Sequence, residues 1–421
     1  MTPEERDMNM EELNNRRVER YLKRQETNLK KRKKKLAILI LSVAFAVAGM
    51  TALFFLLRSE KDPEPEAPRV TTSAEETPKD ATVIRLVAAG DVNVSDATVA
   101  SGGAEYDYTD TFLDVAHLLA DGDITVLNFE GNLCGTPYGD TTRSAPQSMA
   151  QALSRAGVDM VQLANSYAIN QGISGLQATI QNVREAGMEP LGVYADERAY
   201  KAGKGYTIRD VQGVKIAFVA FTKGMDGMTL PQGSEHCVNV LYEDYDSTYQ
   251  SINRKVIDDV LDAVEAEKPD LTVAMLHWGS EYNDTISDSQ ESVVSILQGK
   301  GVDAIIGTHP HYVQQMTYDP ETGFFVAYSL GDFISDGTRA GTEYSVVLNL
   351  EITKSGSSAK ITGYSYTPIF TVAEKGKPLR CVRISETMAA YDSNYIKRIS
   401  ESTYNAMAYA LTRIEERVTG E

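Results

Sequence analysis

The stretch from Ile305 to Tyr312, IIGTHPHY, places two of the chain's five histidines on either side of a proline. Proline disfavours the helical conformation for the residue before it, so we expect extended backbone here, with His309 and His311 projecting to the same side. Imidazole nitrogen is the commonest nitrogen ligand of metals in proteins. The pair therefore predicts a metal site.

Further polar side chains stand where other predicted strands end. They are Asp91, Asn128, Glu130, Asn165, His277 and Asp332. Each one alone is also typical of a helix cap or a turn, and Asp332 either adds a carboxylate ligand or forms a turn. In open α/β sheets, however, sites lie beyond the carboxyl ends of the strands, where separate strand ends converge. The carboxylates of Asp91 and Glu130 would supply the anionic part of a centre for one or two divalent metals.

The elements that must position these residues follow a βα rhythm. Helical patterns repeatedly end at glycine and lead into short apolar strands, as in LSRAGVDMVQLA and LQGKGVDAIIG. This pattern predicts an α/β domain over residues 82–384, with additional strands in 342–384, followed by a C-terminal helix over 385–421. Residues 58–81 are rich in Pro, Glu, Ser and Thr, which predicts a disordered stalk.

An apolar segment precedes the stalk. Residues 36–57 contain no charge over 22 positions, long enough for a transmembrane helix. Residues 1–35 hold 12 Lys/Arg and 7 Asp/Glu, a charge of +5. By the positive-inside rule we expect a cytoplasmic N-terminus, a single-pass signal anchor and an extracellular domain at the cell membrane.

Charge and cysteine content narrow the function classes. The chain carries a net charge of −18, so the part beyond residue 35 carries −23 and is a poor partner for nucleic acid. An anionic polymer would bind only through a metal or a local basic patch. The three cysteines form either one disulfide with an odd thiol or ordinary buried residues.

Several of these motifs together resemble the CapA-type capsule synthesis proteins. The matching stretches include AAGDVNVS, LNFEGNL, LHWGSEYN, IIGTHPHYVQ and VAYSLGDFISD, in the family's order over about residues 83–340. The family is associated with poly-γ-glutamate biosynthesis and export, and it is similar to calcineurin-like metallophosphoesterases. The resemblance implies a four-layer α/β/β/α sandwich after one N-terminal transmembrane helix.

The resemblance also implies roles for individual residues. Asp91, Asn93 and His311 would serve a first metal, Glu130 would bridge, and Asn165, His277 and His309 would serve a second. The metals implied are manganese, iron or zinc. Asn93 stands where the phosphoesterases often have a histidine, which weakens the first site.

The family's usual His and Asp near the leaving group are replaced here by Tyr167 and Asn170. A phenol with an ordinary pKa of about 10 donates hydrogen bonds but shuttles protons poorly at neutral pH. Three hypotheses therefore stay open. The protein assists capsule polymer synthesis, export or anchoring beside membrane-embedded synthesis proteins; or it is a metal-dependent hydrolase of an envelope substrate; or it is a metal-free scaffold.

Overall fold

The structure is a computed structural model of the chain, and it describes residues 69–71, 81–393 and 399–420. These residues belong to one compact unit, Ala67–Glu421. The basic segment 1–35 and the predicted span 36–57 lie outside the described residues. Within the described part of the chain, no helix combines the length and apolar character needed to cross a membrane.

The described residues form fifteen strands and ten helices. The strands are β1 (Arg69–Thr71), β2 (Thr82–Asn93), β3 (Ile124–Glu130), β4 (Met160–Gln162), β5 (Glu189–Leu191), β6 (Tyr206–Val211), β7 (Val214–Thr222), β8 (Leu271–His277), β9 (Ala304–Thr308), β10 (Met316–Tyr318), β11 (Phe325–Ala327), β12 (Asp332–Ile334), β13 (Tyr344–Ser355), β14 (Ser358–Val372) and β15 (Arg380–Arg383). The helices are α1 (Asp96–Ala100), α2 (Thr109–Phe112), α3 (Ala116–Ala120), α4 (Gln147–Arg155), α5 (Gly172–Glu185), α6 (Glu197–Gly203), α7 (Arg254–Glu267), α8 (Asp288–Gly299), α9 (Ile384–Asp392) and α10 (Glu401–Thr419).

The strands form two sheets. The first has nine strands in the order β1-β14-β13-β2-β3-β4-β5, with β12 paired to β2 and β15 paired to β14. The second has six strands in the order β10-β11-β9-β8-β7-β6. Within each sheet a central run is parallel, β2 to β5 in the first and β7 to β9 in the second. Parallel strands end at one edge, so each sheet gathers its strand-end side chains there.

Three apolar clusters hold these layers together. One lies between the sheets and joins residues such as Leu86 of β2 to Phe218 of β7 and Ile306 of β9. Another packs α4 and α5 on the outer face of the first sheet, and a third packs α7 and α8 on the outer face of the second. The predicted α/β sandwich is confirmed, and the strands predicted within 342–384 are found as β13, β14 and β15.

Two predicted segments differ from what the structure shows at the ends of the domain. The stalk predicted as disordered over 58–81 includes β1, because its backbone pairs with residues 363–365 of β14, on the part of that edge that β15 leaves free. The region predicted as one helix, 385–421, contains two helices, α9 and α10. Ser400 starts the second one, since its hydroxyl accepts the Thr403 N–H and its own N–H donates to Glu374.

The strand predicted to end at Asp332 is instead two strands in different sheets. β11 belongs to the second sheet and β12 to the first, and Asp332 is the first residue of β12. Gly331, with φ of 78°, lies between them in the left-handed region that favours glycine. The turn moves the chain from one sheet to the other and places Asp332 in register with Asp91.

A close backbone approach at Gly90 supports this crossover. The carbonyl oxygen of Gly331 lies so near Gly90 that any Cβ there would overlap it. The same carbonyl accepts the Asp91 N–H at 3.0 Å. Gly90 therefore allows β2 and the start of β12 to come together beneath the strand-end side chains.

We expect Gly90→Ala to lower the free energy of unfolding by about 1–3 kcal/mol, because the added methyl forces the two backbones apart. The measurement is denaturant unfolding of the full chain, followed by fluorescence of its only tryptophan, Trp278. The matched control is Gly299→Ala at the end of α8, where a Cβ meets no atom within 4 Å. Gly299→Ala should leave stability unchanged or raise it slightly. Equal midpoints for both variants would contradict the close-approach interpretation.

Candidate metal centre

The predicted strand-end residues meet at one buried locus between the two sheets. The first sheet supplies carboxylates and the second supplies imidazoles. The buried members are Asp91, Asn128, Glu130, Asn165, His277, His309, His311 and Asp332. Two subsets have ligand atoms within 4.8 Å of one another, namely Glu130 with His309 and His311, and Asp91 with His311 and Asp332.

The backbone around Pro310 is not extended, so that part of the prediction is wrong. His309 has φ of 92° and His311 has φ of 59°, both in the left-handed region. Proline favours extended backbone in the residue before it and does not restrict His311. His309 departs from this preference within a turn in which the Pro310 carbonyl accepts the Tyr282 N–H at 2.8 Å. Such conformations cost about 1–3 kcal/mol each and tend to occur at functional sites. The turn still aims both imidazoles inward, with ring centroids 6.1 Å apart.

Asp91 and Asp332 hold His311 from two neighbouring strands. Asp332 Oδ1 lies 2.7 Å from His311 Nδ1, and Asp91 Oδ2 lies 3.8 Å from the same nitrogen. Asp91 also accepts the His309 N–H at 3.1 Å and the Asn128 amide at 2.6 Å. Of the two alternatives for Asp332, its place in the structure favours the added carboxylate over the turn.

Glu130, the predicted bridging carboxylate, lies between the histidines. Its Oε1 is 3.4 Å from His277 Nε2, and its Oε2 is 3.9 Å from His311 Nδ1. Neither oxygen has a hydrogen-bond partner among the described residues, although the side chain is 1% exposed. A buried carboxylate without donors is costly unless a cation approaches it.

His277 and His309 stand together on the side of the second sheet, with ring centroids 4.5 Å apart. Ser166 contacts both, with its Oγ 3.0 Å from His277 Nε2 and 3.5 Å from His309 Nδ1. On the other ring nitrogen of His277, Thr308 Oγ1 lies at 3.3 Å and the Asn128 amide at 3.4 Å.

The two predicted asparagine ligands differ in their surroundings. Asn165 donates to Asn128 Oδ1 at 3.1 Å and to the Phe129 carbonyl at 2.7 Å, and its Oδ1 accepts the Tyr167 N–H at 3.1 Å. It thereby closes the turn after β4 at the edge of the cluster. Asn93 is half-buried at the end of β2, in register with Glu130. Roles for Asn93 and Asn165 as ligands stay predictions.

Tyr167 and Asn170 do not form a pair that resembles the His-carboxylate pair they replace. Asn170 donates its amide to the Thr142 carbonyl at 2.8 Å. The Arg143 guanidinium lies over the Tyr167 ring, 4.5 Å from its centroid. Burial, and next the Glu130 carboxylate, raise the pKa of the Tyr167 phenol. Tyr167 therefore remains protonated and can donate a hydrogen bond beside the centre.

Burial sets the charge states of the cluster. It raises the pKa of the Asp91 and Glu130 carboxyls, and it raises the pKa of Asp332 to about 7. It lowers the pKa of both His277 and His309 well below the ordinary value, so these rings are neutral, the form that binds metals.

His311 behaves differently from the other two histidines. Burial would lower its pKa, but the carboxylates of Asp332 and Glu130 outweigh burial and raise the pKa well above the ordinary value. In the protein alone, one imidazolium thus faces three carboxyl groups whose pKa values burial raises.

These residues fit a divalent metal. Both oxygens of Glu130 and the Oδ2 of Asp332 are buried without partners among the described residues. Neutral imidazoles and carboxylates together are the donor set that manganese, iron and zinc accept. A cation at this locus would satisfy the orphaned oxygens and replace the proton that His311 holds.

Sequence reasoning missed the roles of Ser166 and Lys223. Ser166 lies between Asn165 and Tyr167, so the motif itself marked its position. Lys223 follows β7, and its backbone N–H donates to the His277 carbonyl at 2.7 Å. A lysine after a strand carries no distinctive pattern, so only the structure reveals its place.

The structure also decides between the two alternatives for the cysteines. All three are free, so none forms a disulfide.

The chain is similar in sequence to curated proteins that are described as capsule or PGA biosynthesis proteins. The chain is 27% identical over 217 residues to the capsule biosynthesis protein CapA of Bacillus anthracis, covering 51% of this chain and 49% of that protein. It is 27% identical over 216 residues to the PGA biosynthesis protein CapA of Bacillus subtilis, covering 49% of each. The chain thus spans about half the length of these two relatives.

Solved structures show a distant likeness. A hypothetical protein from Thermus thermophilus matches at 17% identity and a TM-score of 0.42, covering 68% of this chain and 98% of that one. The calcineurin-like phosphoesterase YfkN from Bacillus subtilis matches at 15% identity and a TM-score of 0.40, covering 79% and 99%.

The family model for the bacterial capsule synthesis protein PGA_cap matches residues 85–337, which is more than half of the chain. The matched range contains every residue of the candidate metal centre. The chain therefore belongs to the bacterial capsule synthesis protein family PGA_cap.

Proposed function

We propose that this protein assists the synthesis, export or anchoring of a capsule polymer of the poly-γ-glutamate type, as a membrane-anchored extracellular protein. Membership of the capsule synthesis family is the observation that carries the proposal. The printed name of the Bacillus subtilis relative, a PGA biosynthesis protein, supports the polymer class. Its partners would be membrane-embedded polymer synthesis proteins.

Anchoring rests on the N-terminal sequence. The uncharged residues 36–57 follow the basic segment 1–35, an arrangement that favours a cytoplasmic N-terminus and an extracellular domain. The anchored domain would act where the growing polymer leaves the membrane.

The metal centre would hold one or two divalent ions of manganese, iron or zinc. Glu130, His309 and His311 would bind one ion, and Asp91, His311 and Asp332 offer a second set of ligand atoms. The partnerless oxygens of Glu130 support this assignment most directly. A divalent ion at such a site supplies Lewis-acid polarisation of a phosphoryl or carbonyl oxygen.

A second candidate function is a metal-dependent hydrolase of an envelope substrate, such as a phosphoester. The buried cluster of carboxylates and neutral imidazoles favours it. Tyr167 weakens it, because a buried phenol with a raised pKa donates a hydrogen bond but transfers a proton poorly. Asn170 cannot orient a proton donor at Tyr167, since its amide is bonded to Thr142.

We expect the purified full chain to contain a divalent metal. Glu130→Gln should bind the metal at least about tenfold more weakly, because even the loss of a residue that only hydrogen-bonds a metal ligand lowers metal affinity by that factor. The metal should raise the melting temperature of the wild type and leave that of the variant unchanged. Elemental analysis and thermal unfolding check both. The matched control is Glu265→Gln, which removes an equal charge at an exposed position of α7. A wild type without metal would support the scaffold hypothesis instead.

Deleting the gene in a strain that makes a capsule should lower the surface polymer severalfold. The full chain should restore it, and a chain lacking residues 36–57 should not, because anchoring places the domain at the membrane. Replacing 36–57 by another apolar span of equal length is the control and should restore the polymer. An unchanged capsule after deletion would refute the proposal.

If the hydrolase function is correct, Tyr167→His should raise the rate on generic phosphoesters about tenfold or more, because an imidazole transfers protons near neutral pH. The assay uses the full chain loaded with manganese, iron or zinc. His309→Ala in the same background should remove the activity. Equal residual rates in the wild type and His309→Ala would exclude hydrolysis at this centre. Bound metal with no rise in Tyr167→His would refute the role given to Tyr167.

A further inference from the structure

A polar groove of about 370 Å³ opens beside the metal centre on the side of the second sheet. Its lining includes Lys223, Tyr249, Thr248, Ser280 and Ser289. The Gln250 amide and the Asp288 carboxylate also line it. Its chemistry is therefore that of hydroxyl groups, one amide, one carboxylate and one ammonium group, with tyrosine rings as a wall. A groove of this composition suits a polar chain better than an apolar ligand.

Lys223 is unusual among the basic side chains of the domain. Within the described residues, nine lysines and arginines are half-buried. Eight of them lie within 4 Å of a carboxylate oxygen: Arg143, Arg209, Lys300, Lys354, Arg380, Arg383, Arg413 and Arg417. Lys223 has no such ion pair with any described residue, so its charge is only partly compensated.

The ammonium group of Lys223 has free hydrogen-bonding capacity. It donates to the Gly279 carbonyl at 2.7 Å and lies 4.6 Å from the centroid of the Tyr249 ring. An ammonium has three donors, and the contact with Gly279 uses one. These two contacts hold the charge at the groove wall while leaving donors for a ligand.

The groove lies next to the backbone that carries His277. Thr222, which precedes Lys223, is in register with His277, and the Lys223 N–H donates to the His277 carbonyl. Gly279, another lining residue, follows His277 by two positions. The groove wall and the centre therefore share the ends of β7 and β8.

We infer that this groove binds an anionic group, a carboxylate or a phosphate, of a polymer chain. The inference rests on the proposed function and adds a recognition site to it. It also gives the polymer a local attraction, because the part of the chain beyond residue 35 carries a net charge of −23 and otherwise repels polyanions. Lys223 would be a binding residue that selects anionic chains.

The test measures binding to the full chain by calorimetry. The probes are a short γ-linked oligoglutamate, a glycerol-phosphate oligomer and a neutral dextran oligomer. We expect at least one anionic oligomer to bind, the dextran not to bind, and Lys223→Gln to weaken binding about tenfold or more through loss of a charged hydrogen bond. Lys223→Arg should restore most of the affinity. The matched control is Lys215→Gln, an exposed lysine at the other end of β7, which should bind as the wild type does.

Preference between the two anionic oligomers identifies the carboxylate or the phosphate as the ligand. Metal content is measured on the same samples, so that the two proposals fail separately. Binding that depends on Lys223 in a protein without metal would refute the metal centre and support the groove. Metal-containing Lys223→Gln that binds the oligomers as tightly as the wild type would overturn the inference, as would a wild type that binds neither anionic oligomer.

Discussion

Three carboxylates buried around one imidazole form the constraint on which the rest of this domain depends. The Asn128 amide and the His309 N–H donate hydrogen bonds to Asp91, and the His311 ring is hydrogen-bonded to Asp332. Glu130 has no donor among the described residues. Burial of ionised groups is costly, so this arrangement is stable only if protons or cations compensate it. The orphaned oxygens are the strongest physical sign that these residues can hold a metal.

The two sheets divide the chemistry between them. The first sheet supplies Asp91, Glu130 and Asp332, and the second supplies His277 and the turn with His309 and His311. Neither sheet alone offers a mixed donor set. The apolar layer between the sheets aligns their edges and so brings acids and imidazoles together. The crossover at Gly331 adds the third carboxylate, and Gly90 provides the space for that crossover.

The surroundings of the centre suit binding more clearly than proton transfer. Tyr167, with Arg143 over its ring, stands where the family's usual histidine is missing, and Asn170 is bonded elsewhere. Lys223 in the adjoining groove is a cation without an ion pair among the described residues. The proposed metal centre, the proposed anion groove beside it and the lack of an efficient proton donor are consistent with the proposed role in polymer synthesis or export.

Much of this domain can be predicted from its sequence. The βα rhythm indicates an α/β fold, and the family resemblance implies the sandwich. Polar residues at strand ends indicate a shared edge, because parallel strands must end together. Residue types determine the chemistry, since carboxylates and imidazoles are metal ligands wherever they meet. The motifs were sufficient to predict Asp91, Glu130, His277, His309 and His311 as members of one cluster.

Other features were decided only by tertiary structure. The left-handed turn at His309 and His311, the passage of the chain between sheets at Gly331 and the pairing of Asp332 with His311 arise from contacts between distant segments. The lack of a described carboxylate oxygen within 4 Å of the Lys223 ammonium is likewise a property of the packed structure. Local sequence reports what a side chain can do, whereas burial and the neighbours brought by packing determine its charge, its partners and its free hydrogen-bonding groups.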